Sequence, residues 1–343
     1  MLTMKDIASH VGVSVSSVSL VLSGRGGGRV KPQVAAEIQA VAEELGYVPN
    51  QLARSLKTKQ SRTIGVVSDR VATVPFSGHM LAGAQQAAWE SGFMLMLIDT
   101  GGNDDLQTPA VQSLLQRNIE SLIVATTFHR LVELPFVPPA MPVVILDGRP
   151  NDDVDAVVDF VVPDEESGAY TATKMLVEAG HRRIGFCNVA AYPIASRLRA
   201  RGYERALLDA GITPDPSLSV VAEDAATALA IEPARRLLER ADRPTAVFGF
   251  SDQTAMGFYH VARRLGLEIP RDLSLVGFDN QEFVAEALDP GLTTVQLPHR
   301  EMGEWAVRRA LDRLEGRVGS GESTGRLMPC PPVIRNSIGP PPG

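Results

Sequence analysis

The stretch Gly12–Gly24, GVSVSSVSLVLSG, decides how the start of the chain is read. Valine and serine nearly alternate in it, and β-branched residues favour strands, so a strand is the first reading to test. The alternation fails at Ser16-Ser17 and again at Leu20-Val21-Leu22. Val15, Val18 and Leu22 recur instead at i, i+3 and i+7, with Val21 beside them, which is helical spacing. Ser14 supplies the cap oxygen that such a helix needs. Upstream, Thr3 with Asp6 three residues later predicts a helix to about Val11, with Ile7, Ala8 and Val11 on one face and Gly12 as its stop. Downstream, Pro32 suits the first turn of a third helix that reaches about Leu45 before Gly46. Three short helices, two of them joined by a tight turn at Gly12, read as a helix-turn-helix domain.

The 343 residues are enough for such a module and a larger body. The net charge is -7, which argues against a protein that coats nucleic acid over its whole surface. Residues 1–62, however, hold eight Lys/Arg against four Asp/Glu, an excess of +4, and the remaining 25 basic and 36 acidic residues carry -11. A basic head on an acidic body is a footprint of nucleic-acid binding. Aromatic residues are 5%, so a polar ligand pocket is expected rather than an aromatic box. Cys187 and Cys330 are too few for a disulfide framework or a zinc module and read as inert thiols of a reducing cytosol. The N-terminus MLTMKDIASHVG has no signal-peptide core and no apolar run is long enough to span a bilayer, so a cytoplasmic protein is expected.

PNQLARSLKTKQ (49–60) is a linker with helical propensity, too short to be a stable helix alone. After Arg62, apolar runs alternate with helical patterns: TIGVVS (63–68), FMLMLID (93–99), SLIVAT (121–126), PVVILD (142–147), RIGFCN (183–188), TAVFGF (245–250) and LSLVGFD (273–279). Two runs of βα units predict an α/β body of two doubly wound parallel-sheet lobes behind the all-α head. The expected domains are the head at 1–48, the linker at 49–61 and the body at 62–340. The first lobe is expected at 62–161 plus 293–324, and the second at 162–292 plus 325–340.

A recognition helix buries one stripe and presents the other to a major groove. Val18 and Val21 would pack on Ala8 and Val11, leaving Val15, Ser16, Ser17, Ser19, Leu20 and Ser23 outward or sideways. Small hydroxyls allow close approach and bond phosphates or base edges, and Val15 and Leu20 offer apolar contact to thymine methyls. A helical dimerisation or protein-docking module is the competing reading of the same helix. GRGGGR (24–29) lacks the Lys-Ser/Thr and the preceding strand of a P-loop and reads as a connector whose Arg25 and Arg29 touch phosphates. Enzyme readings fail on their own motifs. GFSDQ lacks the second glycine of a nucleophile elbow, the six histidines have no metal-ligand spacing, and no dinucleotide fingerprint follows the first body strand. No cofactor and no metal are expected.

TMKDIASHVGVSVSSVSLVLSG and GYVPNQLARSLKTKQSRTIGVV resemble the LacI–GalR family of bacterial transcription repressors. The likeness continues in order through VVILDGR (143–149), EAGHRRIGF (178–186), RLRARGYERAL (197–207), RPTAVFGFSDQTAMG (243–257), IPRDLSLVGFDN (269–280), LTTVQLP (292–298) and PPVIRNS (331–337). The resemblance implies a homodimer that sets two recognition helices in successive major grooves of a pseudo-palindromic operator. Val15, Ser16 and Leu20 then read bases, and Ser17, Ser19 and Ser23, with Thr3, hold the backbone. Many members carry a large polar side chain where this chain has Leu20, so the operator sequence is left unread. The resemblance also implies a hinge at 50–57, including Asn50 and Ala53, that becomes helical on DNA. Leu56 would wedge into the minor groove, with Arg54, Lys57 and Lys59 on phosphates.

For the body the resemblance implies a periplasmic sugar-binding fold whose lobes close on a small molecule. Residues after strands point into such a crevice, which selects Asp69, Asp147, Ser251, Asp252 and Asp279, a set suited to a hydroxyl-rich ligand. Arg199 matches the family's effector-contacting arginine, Phe76 and Ser77 its ligand-touching segment, and Asp164 a position near the pocket. EDAAT, around Asp224, stands where some members carry a stacking aromatic residue. The expected function is a repressor whose operator affinity is set by an effector, a carbohydrate being the family's commonest. The alternative is a cytosolic small-molecule-binding protein whose head docks to protein. The IGPPPG tail offers no helix for a tetramer.

Overall fold

The structure, a computed structural model, describes residues 2–23, 27–47, 60–151, 158–319, 321 and 323–343. Its contacts divide the chain into two compact units, Met1–Ser61 and Arg62–Gly343.

The first unit holds α1 (Met4–Val11), α2 (Val15–Leu22) and α3 (Pro32–Glu44). The GVSVSSVSLVLSG stretch is thus helical over Val15–Leu22. The Asp6 carboxylate accepts the Thr3 backbone N–H at 2.8 Å and the Thr3 hydroxyl at 2.7 Å, tying down the start of α1. Gly12 ends α1 at φ 72°, a left-handed conformation that glycine adopts without cost. The Ser14 hydroxyl then accepts the Ser17 N–H at 3.1 Å and starts α2. Ile7, Val18 and Ile38 are fully buried between the three helices, with Val21 and Val41 beside them.

In the second unit, β1 (Thr63–Ser68), β2 (Met94–Asp99), β3 (Ser121–Val132), β4 (Val143–Pro150), β5 (Asp159–Pro163) and β11 (Gly325–Met328) form one parallel sheet, in the order β11-β5-β4-β3-β1-β2. Beside it lie α4 (Gly78–Glu90), α5 (Gln107–Leu115) and α11 (His299–Leu314). A second parallel sheet has the order β7-β6-β8-β9, from β6 (Ile184–Val189), β7 (Ser219–Ala222), β8 (Ala246–Gly249) and β9 (Ser274–Val276). Its helices are α6 (Glu165–Glu178), α7 (Pro193–Asp209), α8 (Thr227–Leu238), α9 (Asp252–Arg264) and the short α10 (Glu282–Ala285). The antiparallel pair β10 (Thr294–Val295) and β12 (Pro332–Val333) continues it through bridges from Val276 to Thr293 and from Asp279 to Gln296. Each sheet has its own buried apolar layers, so the body is two lobes.

The chain crosses between the lobes after Pro163, after Leu297 and after Met328. Two expected boundaries therefore move. Residues 293–297 lie with the second lobe, because they pair with β12 and bridge to the β9 side. Residues 325–328 lie with the first lobe, because β11 pairs with β5. Backbone pairing fixes both, and apolar patterning does not reveal it.

Candidate functional site

The strand ends of the two lobes face a cavity of about 280 Å³. In open parallel sheets the crevice beyond the strand carboxyl ends is where ligands bind. From the first lobe, a break in β3 supplies part of its wall. Ala125 pairs with Leu146 and Arg130 with Gly148, so Thr126–His129 oppose the single Asp147. Such a bulge re-aims side chains, and here it turns Thr127, Phe128 and His129 to the cavity. Asp147 itself is held at φ 62° and Asp279 at φ 102°, conformations that side-chain-bearing residues rarely adopt and that cluster at binding sites.

The charged centre is Arg199 on α7, 3% exposed. Its Nε donates to Glu165 Oε2 at 2.6 Å, and its Nη1 donates to the Phe250 carbonyl and lies 3.4 Å from Asp279 Oδ1. The guanidinium sits 3.8 Å from the Phe278 ring centroid and 4.2 Å from that of Phe250. Burial works against its charge, but Glu165 and Asp279 outweigh that and hold its pKa above the ordinary guanidinium value. Burial lifts the Asp279 carboxyl to about 6, although Arg199 pulls it down. Burial, with Glu165 and Asp69 nearby, raises the Asp147 carboxyl well above its usual range.

Several buried polar atoms have no partner among the described residues: Asp147 Oδ1, both ring nitrogens of His129, and Nε2 of His299. Such atoms cost free energy unless something bonds them. Burial, with Arg149 and Arg199, holds His129 down at about 4, so its ring is neutral at pH 7 and offers one donor and one acceptor. Aromatic rings line the rest. Tyr192 packs edge-on to Phe128 at 4.7 Å and stacks on Phe250 at 6.0 Å, while its hydroxyl donates to Asp224 Oδ1 at 2.9 Å. Burial and Asp224 raise that phenol to about 12. The expectation of a pocket without an aromatic box is corrected, because Phe76, Phe128, Tyr192 and Phe250 all line the cavity.

On the first unit, Val15 is 44% exposed and Ser16 is exposed, while Val18 is fully buried. The outward face of α2 thus carries Val15 and Ser16, with Ser17, Ser19, Leu20 and Ser23 half-buried. The Ser17 hydroxyl shares a 2.9 Å bond with Ser14, and the Ser23 hydroxyl donates to the Leu20 carbonyl at 3.2 Å.

Residues 3–50 match the profile of bacterial regulatory proteins of the lacI family, and residues 173–338 match that of a periplasmic binding protein-like domain. The HTH-type transcriptional repressor PurR of Vibrio atlanticus is 32% identical over 92% of this chain and 93% of its own length. The ribose operon repressor of Haemophilus influenzae is 32% identical over 92% of each chain. The chain belongs to the LacI family. Among solved structures, a transcriptional regulator CelR–cellobiose complex is 27% identical with a TM-score of 0.67, covering 98% of this chain and 100% of that one. The lac repressor dimer bound to operator, 24% identical, shares the fold with a TM-score of 0.77 over 98% of each chain. The LacI-family relatives are DNA-binding transcriptional repressors, not enzymes.

Within this LacI-family body, Phe76, Asp147, Arg199 and Asp279 line the cavity, as the sequence led us to expect, and five other expected residues do not. Asp69 accepts the Thr127 hydroxyl at 2.6 Å and pairs with Arg130 at 3.3 Å, behind the wall. Ser77 is fully buried at the start of α4. Asp164 caps α6 by accepting the Ser167 N–H at 3.1 Å. Ser251 caps α9 by accepting the Thr254 N–H at 3.2 Å. Asp252 is spent on the Gln281 N–H, at 2.6 Å, and the Thr294 hydroxyl. His129, Glu165, Tyr192 and Phe250 were missed; Tyr192 carries no sequence signal, and Glu165 only its place after Asp164. Thr3 is exposed, its hydroxyl bonded to Asp6, and Arg29 is exposed. Arg25, Asn50, Ala53, Arg54, Leu56 and Lys57 lie outside the described residues. Among the described residues, no helix is long and apolar enough to cross a membrane, and no group of side chains is placed to hold a metal ion.

Proposed function

We propose that this LacI-family chain is a homodimeric repressor whose affinity for a pseudo-palindromic operator is set by a neutral carbohydrate bound between its lobes. The observation that carries the reading is Arg199, buried between Glu165 and Asp279 and stacked on two phenylalanine rings, at the wall of a cavity with unpartnered acceptors. Fixed charges bond vicinal hydroxyls, and aromatic faces cover the C–H face of a sugar ring. Glu165, Asp224 and Asp279 outnumber Arg70 and Arg199 on the cavity wall, which disfavours an anionic ligand such as a sugar phosphate. The named relatives respond in several chemistries: one is a ribose operon repressor, one is PurR, and one binds cellobiose.

In the head, Val15, Ser16 and Leu20 read base edges, and Ser17, Ser19, Ser23 and Arg29 hold phosphates. The test is selection of bound duplexes from a random pool by the full-length protein, repeated at rising salt and with added sugars. The expected result is a two-fold motif with half-sites about one helical turn apart, lost steeply with salt. A sugar should change its affinity, and Arg199→Met should abolish that response while leaving the motif. No enriched motif under any condition, or a response to purine bases or sugar phosphates and to no neutral sugar, overturns the reading.

A further inference from the structure

The cavity at Arg199 does not end there. A second chamber of about 520 Å³ opens from it, and the two share Val74, Phe76, Gln253, Asp279, Gln281 and Leu297 as common wall. The far side of the second chamber is built from the start of α11, from Asn280 to Val284, and from Gln296. The two chambers therefore adjoin along this shared wall, and a ligand long enough can extend from one into the other.

The second chamber has a polar anchor of its own. His299, the first residue of α11, is 4% exposed and lines it. Its Nδ1 lies 3.1 Å from the Phe76 carbonyl oxygen, which only accepts, so the ring proton sits on Nδ1 and is donated there. Nε2 is therefore a lone-pair acceptor, and it has no partner among the described residues. Burial keeps the ring neutral, its pKa lowered to about 4, so Nε2 does not pick up a proton near pH 7. An acceptor fixed in this way takes a hydroxyl and repels a carbonyl or an anion. The His299 ring stacks on Phe76 at 6.0 Å and 18°, and Phe76 faces both chambers. At the rim, Phe283 is 85% exposed, an apolar plate set beside a polar hollow.

We infer that the effector is an oligosaccharide of at least two rings. One ring lies against Arg199 in the first chamber, and the next lies in the second, with a hydroxyl donated to His299 Nε2 and an apolar face on Phe283. This rests on the carbohydrate reading proposed above and adds the size of the ligand and a second subsite. His129 lines only the first chamber and the acceptor His299 Nε2 belongs to the second, so one ring in each chamber gives both histidines a partner.

The experiment is calorimetric titration of the full-length protein with matched series: glucose, cellobiose and cellotriose; glucose, maltose and maltotriose; xylose, xylobiose and xylotriose; galactose and lactose. One disaccharide or trisaccharide should bind at least about ten-fold more tightly than its own monosaccharide, about 1.4 kcal/mol. Phe283→Ala, at an exposed position that folding does not need, should weaken that oligosaccharide by about five-fold or more while leaving the monosaccharide unchanged. His299→Gln, which keeps a donor for the Phe76 carbonyl, should also weaken only the oligosaccharide. A monosaccharide that binds as tightly as its oligomers, or a Phe283→Ala variant that weakens neither, overturns this inference and leaves the carbohydrate reading standing. Binding of purine bases with no sugar bound overturns both.

Discussion

His299 and His129 make the folded body sensitive to acid. Burial lowers both to about 4, from an ordinary value of 6.5. Around His299 stand the Phe76 carbonyl, which favours the proton, and His79 and Arg199, which oppose it. The unfolded chain takes up a proton at each ring below 6.5, and the folded chain refuses it until about 4. Each ring therefore contributes stability that is present above pH 6.5 and lost as the pH falls toward 4, roughly 3 kcal/mol apiece at about 1.4 kcal/mol per pH decade. Asp279, raised to about 6, works in the opposite sense and adds stability as the pH falls from 6 toward 4. The clean comparison is therefore between wild type and His299→Gln in urea at a series of pH values. The wild type should lose stability relative to the variant on going from pH 7 to pH 4; parallel curves would mean that the ring titrates normally. How such residues are read from sequence depends on backbone detail. Arg199 and Asp279 were legible through the motifs around them. His129 was not, because only the break in β3 turns it inward, and Phe250 read as one more apolar residue of strand TAVFGF.

Helices close to the cleft meet through glycine. Gly83 of α4 lies against the Arg300 carbonyl of α11, and Gly303 of α11 lies against the Met80 carbonyl of α4, so a Cβ at either position would collide with backbone. Gly202 of α7 meets the Glu166 carbonyl of α6 in the same way in the other lobe. Backbone does not move aside as a side-chain end does, so Gly303→Ala should cost about 1–3 kcal/mol and lower the melting temperature of the body. Gly78→Ala is the control, because nothing lies within 4 Å of a Cβ there, and it should be neutral or slightly stabilising. Equal melting temperatures for the two variants would show that the helix pair yields freely. The same packing explains which elements the sequence disclosed. Runs such as SLIVAT and PVVILD are buried on both sides and are unmistakable. β7 and β11 are short edge strands with mostly exposed or half-buried side chains, so they carry no apolar run. In β5 the run is broken by Asp159, a buried carboxylate that pairs with Arg309 at 2.9 Å and Arg313 at 2.8 Å. A strand that begins on a charge reads as loop.

The two units of the chain have separate cores, one around Ile7, Val18 and Ile38 and the others within the lobes. On the function proposed above, a sugar held by Arg199 would therefore affect DNA held by α2 only as a coupling free energy between two distinct sites. The strands of the body allow such a coupling, since the chain crosses between the lobes three times and a ligand seated on both lobes favours one hinge angle over others. Coupling of this kind is reciprocal: if sugar changes operator affinity by some factor, operator must change sugar affinity by the same factor. Factors of about 5 to 150 are usual, or about 1–3 kcal/mol. The full-length protein should be titrated with operator in the presence of saturating sugar, and with sugar in the presence of saturating operator, at one salt concentration, because the DNA term alone varies steeply with salt. The two factors should agree, and both should fall to one in Arg199→Met. A sugar that saturates the cavity and leaves operator affinity unchanged would be a bystander, and if every bound sugar behaved so, the body would serve some purpose other than gating the head.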